Sequence, residues 1–213
     1  MSTRGGFTLV EMAIGMVLVS VISGLFFLTT ETTSSAVSTG MAVAELDTNT
    51  LRALERVCDS LKSASADMVS PQSAAPWSGE SVDYQRGRGA DADGNLLWGP
   101  TERIALEYDE ADDDIDNDGD GLVDEGRLVW IENPGAAGER RIVLCQDVRE
   151  YLEGETFDGA DENDNGLIDE RGFALDFDGR SVTVRLSLQA RDRRGQILTA
   201  TVERTIAFRN EGE

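Results

Sequence analysis

The chain begins with a long apolar stretch. From Phe7 to Leu28 the only charged residue is Glu11, and there is no proline. As an α-helix these 22 residues would span about 33 Å, which is close to the hydrocarbon thickness of a bilayer. The pattern therefore predicts a membrane-spanning helix over residues 7–28.

A second helical pattern follows a Ser- and Thr-rich segment at 29–40, which on its own resembles a linker. Apolar or small side chains then recur every three or four residues, which is typical of one face of an amphipathic helix. Pro71 is expected to end this helix, because proline lacks an N–H and restricts the residue before it. The stripe consists of Val43, Leu46, Thr50, Leu54, Val57, Leu61, Ala64 and Met68.

After Trp77 the chain changes to short, often alternating segments with many β-branched residues, which are typical of strands. Turn-forming runs such as NPGAAG at 133–138 separate them. The simplest architecture is an α+β fold, in which an antiparallel sheet covers one helix face and residues 71–213 form a β-rich globular head. The segments are TERIALEY, GRLVWIE, RRIVLCQDV, GFALDF, RSVTVRLSLQA and QILTATVERTIAF.

The chain is strongly acidic, with 41 acidic residues against 19 basic ones and a formal net charge of −22. Such a surface repels phosphates, so no nucleic-acid partner is expected and cations are the natural partners. The chain has no histidine. This excludes Ser-His-Asp and Cys-His catalysis and every histidine-ligated metal site.

A short leader, MSTRGG, precedes the apolar stretch. The junction resembles the N-terminus of the type IV pilin family, in which a basic leader ending in glycine is followed by Phe-Thr-Leu-x-Glu. The matching residues are Gly6, Phe7, Thr8, Leu9, Val10 and Glu11.

The resemblance implies that a prepilin peptidase removes residues 1–6 by cutting after Gly6, and that the new N-terminal amine of Phe7 is methylated. It implies that Glu11 meets the N-terminal amine of a neighbouring subunit during filament assembly. A buried ion pair of good geometry can offset the cost of two charges in lipid. The resemblance also implies that one helix continues through residues 29–70.

A secretory signal peptide or a plain signal anchor would account less well for the apolar stretch. A signal peptide usually has an apolar core of about 7–15 residues and no acid. A signal anchor leaves Glu11 unexplained. Glu11 needs an explanation because a carboxylate in hydrocarbon costs about 2.5–3.5 kcal/mol on insertion scales.

The basic residues predict how the chain is oriented. Arg4 is the only basic residue before the apolar stretch, and the next is Arg52. The positive-inside rule then predicts a single-pass orientation with the N-terminus in the cytoplasm and the head outside. The pilin resemblance implies that the membrane is the bacterial inner membrane.

Two acidic segments of the head repeat each other without gaps. DNDGDGLVDE occupies Asp116 to Glu125, and DENDNGLIDE occupies Asp161 to Glu170, 45 residues further on. Alternate short carboxylates or amides on a tight loop can all turn inward, and Ca²⁺ takes about six to eight oxygen ligands. The spacing predicts one or two structural Ca²⁺ ions that fix long connections between strands. The alternative is a pair of solvated acidic turns.

The loops resemble the first half of an EF-hand-type loop, as in dockerin-like and thrombospondin-like calcium repeats. That resemblance implies ligands from Asp116, Asp118, Asp120, the Leu122 carbonyl, and Asp124 or Glu125. In the second loop it implies Asp161, Asn163, Asn165, the Leu167 carbonyl, and Asp169 or Glu170.

The register of the first loop has an alternative. A start at Asp114 fits the EF-hand spacing better, but the equivalent start in the second loop is Gly159, which has no side-chain ligand. The repeat therefore favours the later register.

The two cysteines are Cys58, beside the apolar stripe of the helix, and Cys145, on the predicted strand RIVLCQDV. Outside the cytoplasm a disulfide between them is chemically permitted. In the chain-entropy model it would contribute about 4–5 kcal/mol. Two separate buried thiols are equally compatible with the sequence.

The features together favour a structural subunit that assembles with other pilins. Gly24 is the only helix breaker late in the apolar stretch, where many major pilins carry proline. With the larger head and its end TVERTIAFRN, this favours a minor pilin or a type II secretion minor pseudopilin of the J or W type. The alternative is a filament-displayed, calcium-dependent adhesin or cargo-binding module, which exposed aromatic side chains near the loops would favour. Paired carboxylates could mimic a glycosidase, but their clustering in metal-type loops argues against an enzyme.

Overall fold

The computed structural model describes residues 8–71, 77–108, 110–111, 113, 115–162 and 167–208. Within these residues one α-helix, α1 (Leu9–Leu61), is followed by nine antiparallel strands. The predicted α+β fold is therefore confirmed. The strands are β1 (Ala64–Ser70), β2 (Trp77–Gly79), β3 (Ser81–Ala90), β4 (Leu96–Tyr108), β5 (Gly126–Glu132), β6 (Arg140–Val148), β7 (Phe173–Phe177), β8 (Ser181–Arg191) and β9 (Ile197–Ala207).

The chain divides into two compact units, one up to Met41 and one from Ala42 onward. In the first unit, α1 exposes its apolar side chains, among them Leu9, Phe26 and Phe27. None of its most apolar 18-residue window is buried within the protein. By length and composition, α1 can cross a membrane.

The Ser- and Thr-rich segment is part of the helix, as the resemblance implies, and is not a linker. Its hydroxyl groups bond back to the preceding turn: Thr30 Oγ1 donates to the carbonyl oxygen of Phe26 at 2.8 Å, and Thr29 Oγ1 donates to that of Leu25 at 3.1 Å. Hydroxyl groups satisfied in this way let polar residues continue a helix that leaves an apolar environment.

The second unit contains the hydrophobic core. Here α1 buries one face against side chains from the strands, including Ile104, Leu128, Phe173 and Leu186. The predicted stripe is buried from Leu46 to Leu61, whereas Val43 is exposed. The buried helical residues are Leu46, Thr50, Ala53, Leu54, Val57, Cys58 and Leu61.

The sheet contains all the strands that the two acidic segments connect. β1, β3, β4, β5 and β6 are successive neighbours in the sheet. β8 continues it, since Val148 of β6 pairs with Leu188 and Phe173 of β7 pairs with Leu186. β9 also pairs with β8, and β2 pairs with β7. The first acidic segment thus connects β4 to β5, and the second connects β6 to β7.

The end of the helix differs from the prediction. The stripe predicts helix up to residue 70, but α1 ends at Leu61 and Ala64–Ser70 forms β1. In β1, Val69 pairs with Tyr84 of β3, and both side chains are buried. Short apolar runs suit either a helix or a strand, and here pairing with β3 supplies the backbone hydrogen bonds.

We expect the helix–sheet contact to determine the stability of the second unit. Leu54→Ala removes a side chain that is fully buried in the core, and we expect the free energy of unfolding to fall by about 2–5 kcal/mol. Leu51→Ala is the matched control, because Leu51 lies on the same helix but is exposed; we expect a change within about 0.5 kcal/mol. Denaturant unfolding of the detergent-solubilised protein, followed by tryptophan fluorescence, measures both. Equal losses in the two variants would contradict this packing.

Candidate functional site

Glu11 has a partner within its own chain. The backbone N–H of Thr8 donates to Glu11 Oε2 at 2.8 Å, and Thr8 Oγ1 donates to the same oxygen at 2.9 Å. In return the N–H of Glu11 donates to Thr8 Oγ1 at 3.2 Å. This reciprocal arrangement is a capping box at the start of α1. The Thr-x-x-Glu spacing that produces it is a signal already visible in the sequence.

The processing residues Gly6 and Phe7 lie outside the described residues. Next to them the structure describes the start of α1, where the N–H groups of Thr8 and Glu11 are satisfied by each other's side chains. The positive end of the helix dipole favours a carboxylate at this position. Glu11 is therefore stabilised here before any neighbouring subunit is considered.

The first acidic loop, defined here as residues 110–125, is folded by its own carboxylates. Asp116 accepts hydrogen bonds from the N–H groups of Gly119 and Gly121, at 2.6 and 2.9 Å. Asp118 accepts one from the N–H of Asp120 at 3.0 Å. Such side-chain-to-backbone bonds are typical of tight Asp-rich turns.

Gly121 suits its position because of its backbone conformation. Its φ is +90°, in the region that favours glycine. A Cβ built on it would also lie 1.7 Å from Nη1 of Arg191, so the guanidinium of Arg191 packs directly on this turn.

Glu110 closes the loop, although the sequence pattern did not place it among the predicted ligands. Its Oε1 accepts the N–H groups of Asn117 and Asp118, both at 2.7 Å. Its Oε2 accepts the N–H of Asp124 at 3.3 Å. Glu110 thus connects the beginning of the loop to its centre and its end.

Two groups of three carboxylates form in this loop. Oxygens of Glu110, Asp118 and Glu125 all lie within 4.8 Å of one another, and so do oxygens of Asp116, Asp118 and Asp120. We call the first group the buried triad, after its one buried member, Glu125, and the second the exposed triad, because it has no buried member. Four of the six predicted first-loop residues are therefore brought together.

The other two predicted ligands of the first loop, Asp124 and Leu122, make contacts within the loop. Asp124 is buried with φ +50°, and its Oδ1 accepts the N–H of Asp113 at 3.2 Å. The side chain of Leu122 is buried, and its N–H donates to Asp120 Oδ1 at 2.8 Å.

Glu125 is the chemically unusual member of the buried triad. It is only 4% exposed, and its Oε2 has no hydrogen-bond partner among the described residues. Burial raises the pKa of Glu125 to about 7, and the nearby carboxylates of Asp120, Glu110 and Asp118 contribute to this shift. An ionised carboxylate in this position needs a cation.

A second buried carboxylate, Glu102, shows the contrasting case. It also is 4% exposed. It accepts hydrogen bonds from Tyr84 Oη at 3.0 Å, Trp130 Nε1 at 2.8 Å and Arg86 Nε at 2.7 Å. Its charge is balanced by protein groups, as expected for a buried acid in a structural role.

The second acidic segment repeats the geometry of the first. Asp169 has φ +53°, and its Oδ1 accepts the N–H groups of Asp158 and Gly159 at 3.1 Å. Asp169 and Asp158 stand 45 residues after Asp124 and Asp113, which make the same contact (169 − 124 = 158 − 113 = 45). The structural repeat is thus longer than the ten-residue repeat of the two acidic sequences.

The same offset relates two pairs of glutamates. Glu155 and Glu170 follow Glu110 and Glu125 by 45 residues, and both are buried. One difference is that Arg185 Nη1 lies 3.9 Å from Glu170 Oε1.

The remaining predicted ligands of the second segment are only partly described. Asp161 and Leu167 are half-buried. Asn163 and Asn165 lie outside the described residues.

The cysteines are free thiols in this structure, and the disulfide alternative is not formed. Cys58 is buried in the core and Cys145 is packed against it. Burial raises the pKa of Cys145 to about 12 and also raises the pKa of Cys58. Both therefore remain protonated and behave as small apolar side chains.

An exposed aromatic residue lies close to the acidic segments. Phe157 is 76% exposed and stacks on Tyr151 with a ring-centroid distance of 6.1 Å. A groove beside it is lined by Val123 of the first acidic loop, by Glu155, which precedes the second acidic segment, and by Ile197. This part of the surface combines apolar and acidic groups.

The fold and the start of α1 define a class of protein: an α+β chain whose first helix half suits a single-pass membrane anchor. Comparison with protein families then matches residues 1–27 to the prokaryotic N-terminal methylation motif. The N-terminus of this chain thus carries the type IV pilin-like signature, a motif of structural proteins, which confirms the resemblance. No curated protein and no solved structure matches the chain significantly.

We expect the burial of Glu125 to give the metal-free protein a particular pH dependence. Because its folded pKa is about 7 and its ordinary value 4.5, the folded state binds this proton more tightly than the unfolded state. The contribution of Glu125 to stability therefore improves as the pH falls from above 7 towards 4.5. Glu125→Gln should raise the melting temperature of the metal-free protein most at pH 8, and the gain should shrink at pH 5.5.

Glu139→Gln is the matched control for that prediction. Hydrogen bonds from Arg141 and from the N–H of Gly135 hold the pKa of Glu139 below its ordinary value. The control should therefore show no gain at pH 8. A pH-independent effect of Glu125→Gln would contradict the assigned burial of its charge.

Proposed function

We propose that this protein is a membrane-anchored structural subunit of a type IV pilus or a type II secretion pseudopilus. The observation that carries the proposal is the match of residues 1–27 to the methylation motif. The matched residues include the start of α1, whose apolar first half is exposed. A prepilin peptidase cuts the precursor after Gly6, and the amine of Phe7 is methylated. The proposed role is not enzymatic.

The proposed orientation places the N-terminus in the cytoplasm and the second unit on the opposite side of the bacterial inner membrane. Arg4 supports this orientation, since it is the only basic residue before the apolar stretch. The partners are then the peptidase, the inner membrane and other pilin or pseudopilin subunits.

Within this class we propose a minor, priming subunit of the J or W type. The support is the absence of proline from the first 70 residues and a nine-stranded sheet carrying two long acidic connections. Long charged connections are difficult to accommodate in every subunit of a closely packed fibre, whereas a low-copy subunit can carry them at an accessible position.

The proposed role of Glu11 is to meet the N-terminal amine of a neighbouring subunit. Its capping contacts with Thr8 keep the carboxylate at the helix start. A carboxylate has about four lone-pair positions, so it can keep the cap and accept a bond from an ammonium group. The cap therefore orients Glu11 and leaves it able to bind a partner.

We also propose that Ca²⁺ stabilises the second unit through the acidic loops. The support is the repeated geometry of the two segments, in which Asp124 and Asp169 have the same unusual backbone conformation. Each segment connects two strands, so a bound ion would hold those connections closed.

A second candidate function is a filament-displayed, calcium-dependent adhesin or cargo-binding module. Phe157 favours it, because a large aromatic side chain that is 76% exposed next to acidic segments is typical of contact surfaces. Phe157→Ala would then abolish binding of cargo or host surface while leaving assembly intact. If the variant retains secretion or adhesion, the structural role alone remains.

The assembly role is tested by Glu11→Ala in the native host. We expect the variant to be processed normally, since the cleavage site is unchanged, but to lose most cross-linking to other subunits in the membrane. Glu31→Ala is the matched control, because Glu31 is an exposed acid on the same helix, and it should cross-link like the wild type. Equal cross-linking of all three proteins would contradict the role of Glu11.

The metal component is tested separately with the full chain in detergent. We expect Ca²⁺ to raise its melting temperature by several degrees, since a ligand that binds only the folded state stabilises it by mass action. Added chelator should reverse the shift. An unchanged melting temperature across millimolar Ca²⁺ would reject the calcium-stabilised head without affecting the anchor and processing.

A further inference from the structure

We propose that one Ca²⁺ binds in the buried triad of the first acidic loop, with Glu110, Asp118 and Glu125 as carboxylate ligands. This inference rests on the proposed calcium stabilisation and assigns its location. It differs from the ligand set implied by the EF-hand-type resemblance, because Glu110 precedes the repeated segment and Asp116 and Asp120 are not required as ligands.

The first argument is distance. Two oxygens bound to one Ca²⁺ can be at most about 5 Å apart, twice the bond length of about 2.3–2.6 Å. Oxygens of Glu110, Asp118 and Glu125 all lie within 4.8 Å of one another. All three can therefore bind a single ion with little movement of the loop.

The second argument is the environment of Glu125. The Glu125 side chain is 4% exposed, and its Oε2 has no hydrogen-bond partner among the described residues. A buried, ionised carboxylate without a partner is costly, and Glu102 shows that this fold otherwise satisfies such a group with three donors. Carboxylates of Glu110 and Asp118 lie beside Glu125, so a cation is the partner that would balance their charge.

The third argument is the lone pairs that remain. Glu110 has about four acceptor positions, of which three are used by the N–H groups of Asn117, Asp118 and Asp124. Asp118 uses Oδ1 for the N–H of Asp120. Each residue therefore keeps capacity for an ion while its other contacts hold it in place.

The exposed triad is better explained as loop structure. Both oxygens of Asp116 accept N–H groups of the turn, and Oδ1 of Asp120 accepts that of Leu122. These bonds shape the loop around Asp118, the residue shared by the two triads. The second segment has Arg185 near Glu170, so the inference is confined to the first loop.

The test is calorimetric titration of the metal-free full chain in detergent with CaCl₂. We expect Glu125→Gln and Glu110→Gln each to weaken the affinity of one Ca²⁺ about tenfold or more, because each removes a charged ligand. Glu139→Gln, which changes an acid in a different loop, should bind like the wild type. Asp120→Asn, in the exposed triad only, should weaken binding less than either glutamate variant.

Folding is checked by the melting temperature in chelator, where Glu125→Gln should be at least as stable as the wild type. Should it fail to fold, Glu110→Gln decides alone, since Glu110 is only half-buried. Wild-type affinity in a folded Glu110→Gln or Glu125→Gln variant overturns this site, while the calcium proposal itself stands. A wild-type chain that binds no Ca²⁺ overturns both, and leaves membrane anchoring and processing untouched.

Discussion

The exposed apolar surface of the first half of α1 is the constraint on which the rest depends. Leu9 is 86% exposed and Phe26 is 73% exposed, and their neighbours along the helix are similar. Exposing each of these side chains to water is unfavourable in free energy, whereas lipid or the apolar helices of neighbouring subunits would cover them. A membrane alone would cover the apolar side chains of such a helix. Glu11 is the one charged residue in this apolar stretch, and its capping contacts with Thr8 explain how an acid is kept at the helix start without breaking the helix.

The second unit handles its charges in two ways. Glu102 lies in the core among Tyr84, Trp130 and Arg86, which supply donors and a balancing charge. Glu125 is just as buried, but the carboxylates of Glu110 and Asp118 lie beside it. The chain has a formal charge of −22, and acids that lie close together at a buried position repel one another. A divalent cation bound between them would remove that repulsion and stabilise the folded state. In the proposed site, Ca²⁺ would balance the charge of Glu125 as Arg86 balances that of Glu102.

Much of the fold could be predicted from the sequence, because periodicity reports burial. The stripe from Leu46 to Leu61 and the strands from β4 onward were predicted correctly. The strand Ala64–Ser70 was assigned to the helix, since Ala64 and Met68 continue the helical spacing and only pairing with β3 shows otherwise. β3 itself carries glycines and arginines that hide its alternation.

The acidic loops were less predictable. Spacing of Asp and Gly predicted the turns, but the resemblance could not show that Asp124 bonds to backbone or that Glu110 closes the loop. Those roles depend on how β4 and β5 bring the two ends of the loop together. The equal offset of Glu155 from Glu110 is a signal present in the sequence, but the residues between Glu110 and Asp116 resemble their counterparts too little to make it stand out.

The most direct test of the central claim is the mass of the mature N-terminus, measured on protein from the native membrane. We expect a chain that begins at Phe7 and carries one methyl group on its amine. An intact Met1, or cleavage after residue 30 as by a signal peptidase, would contradict it.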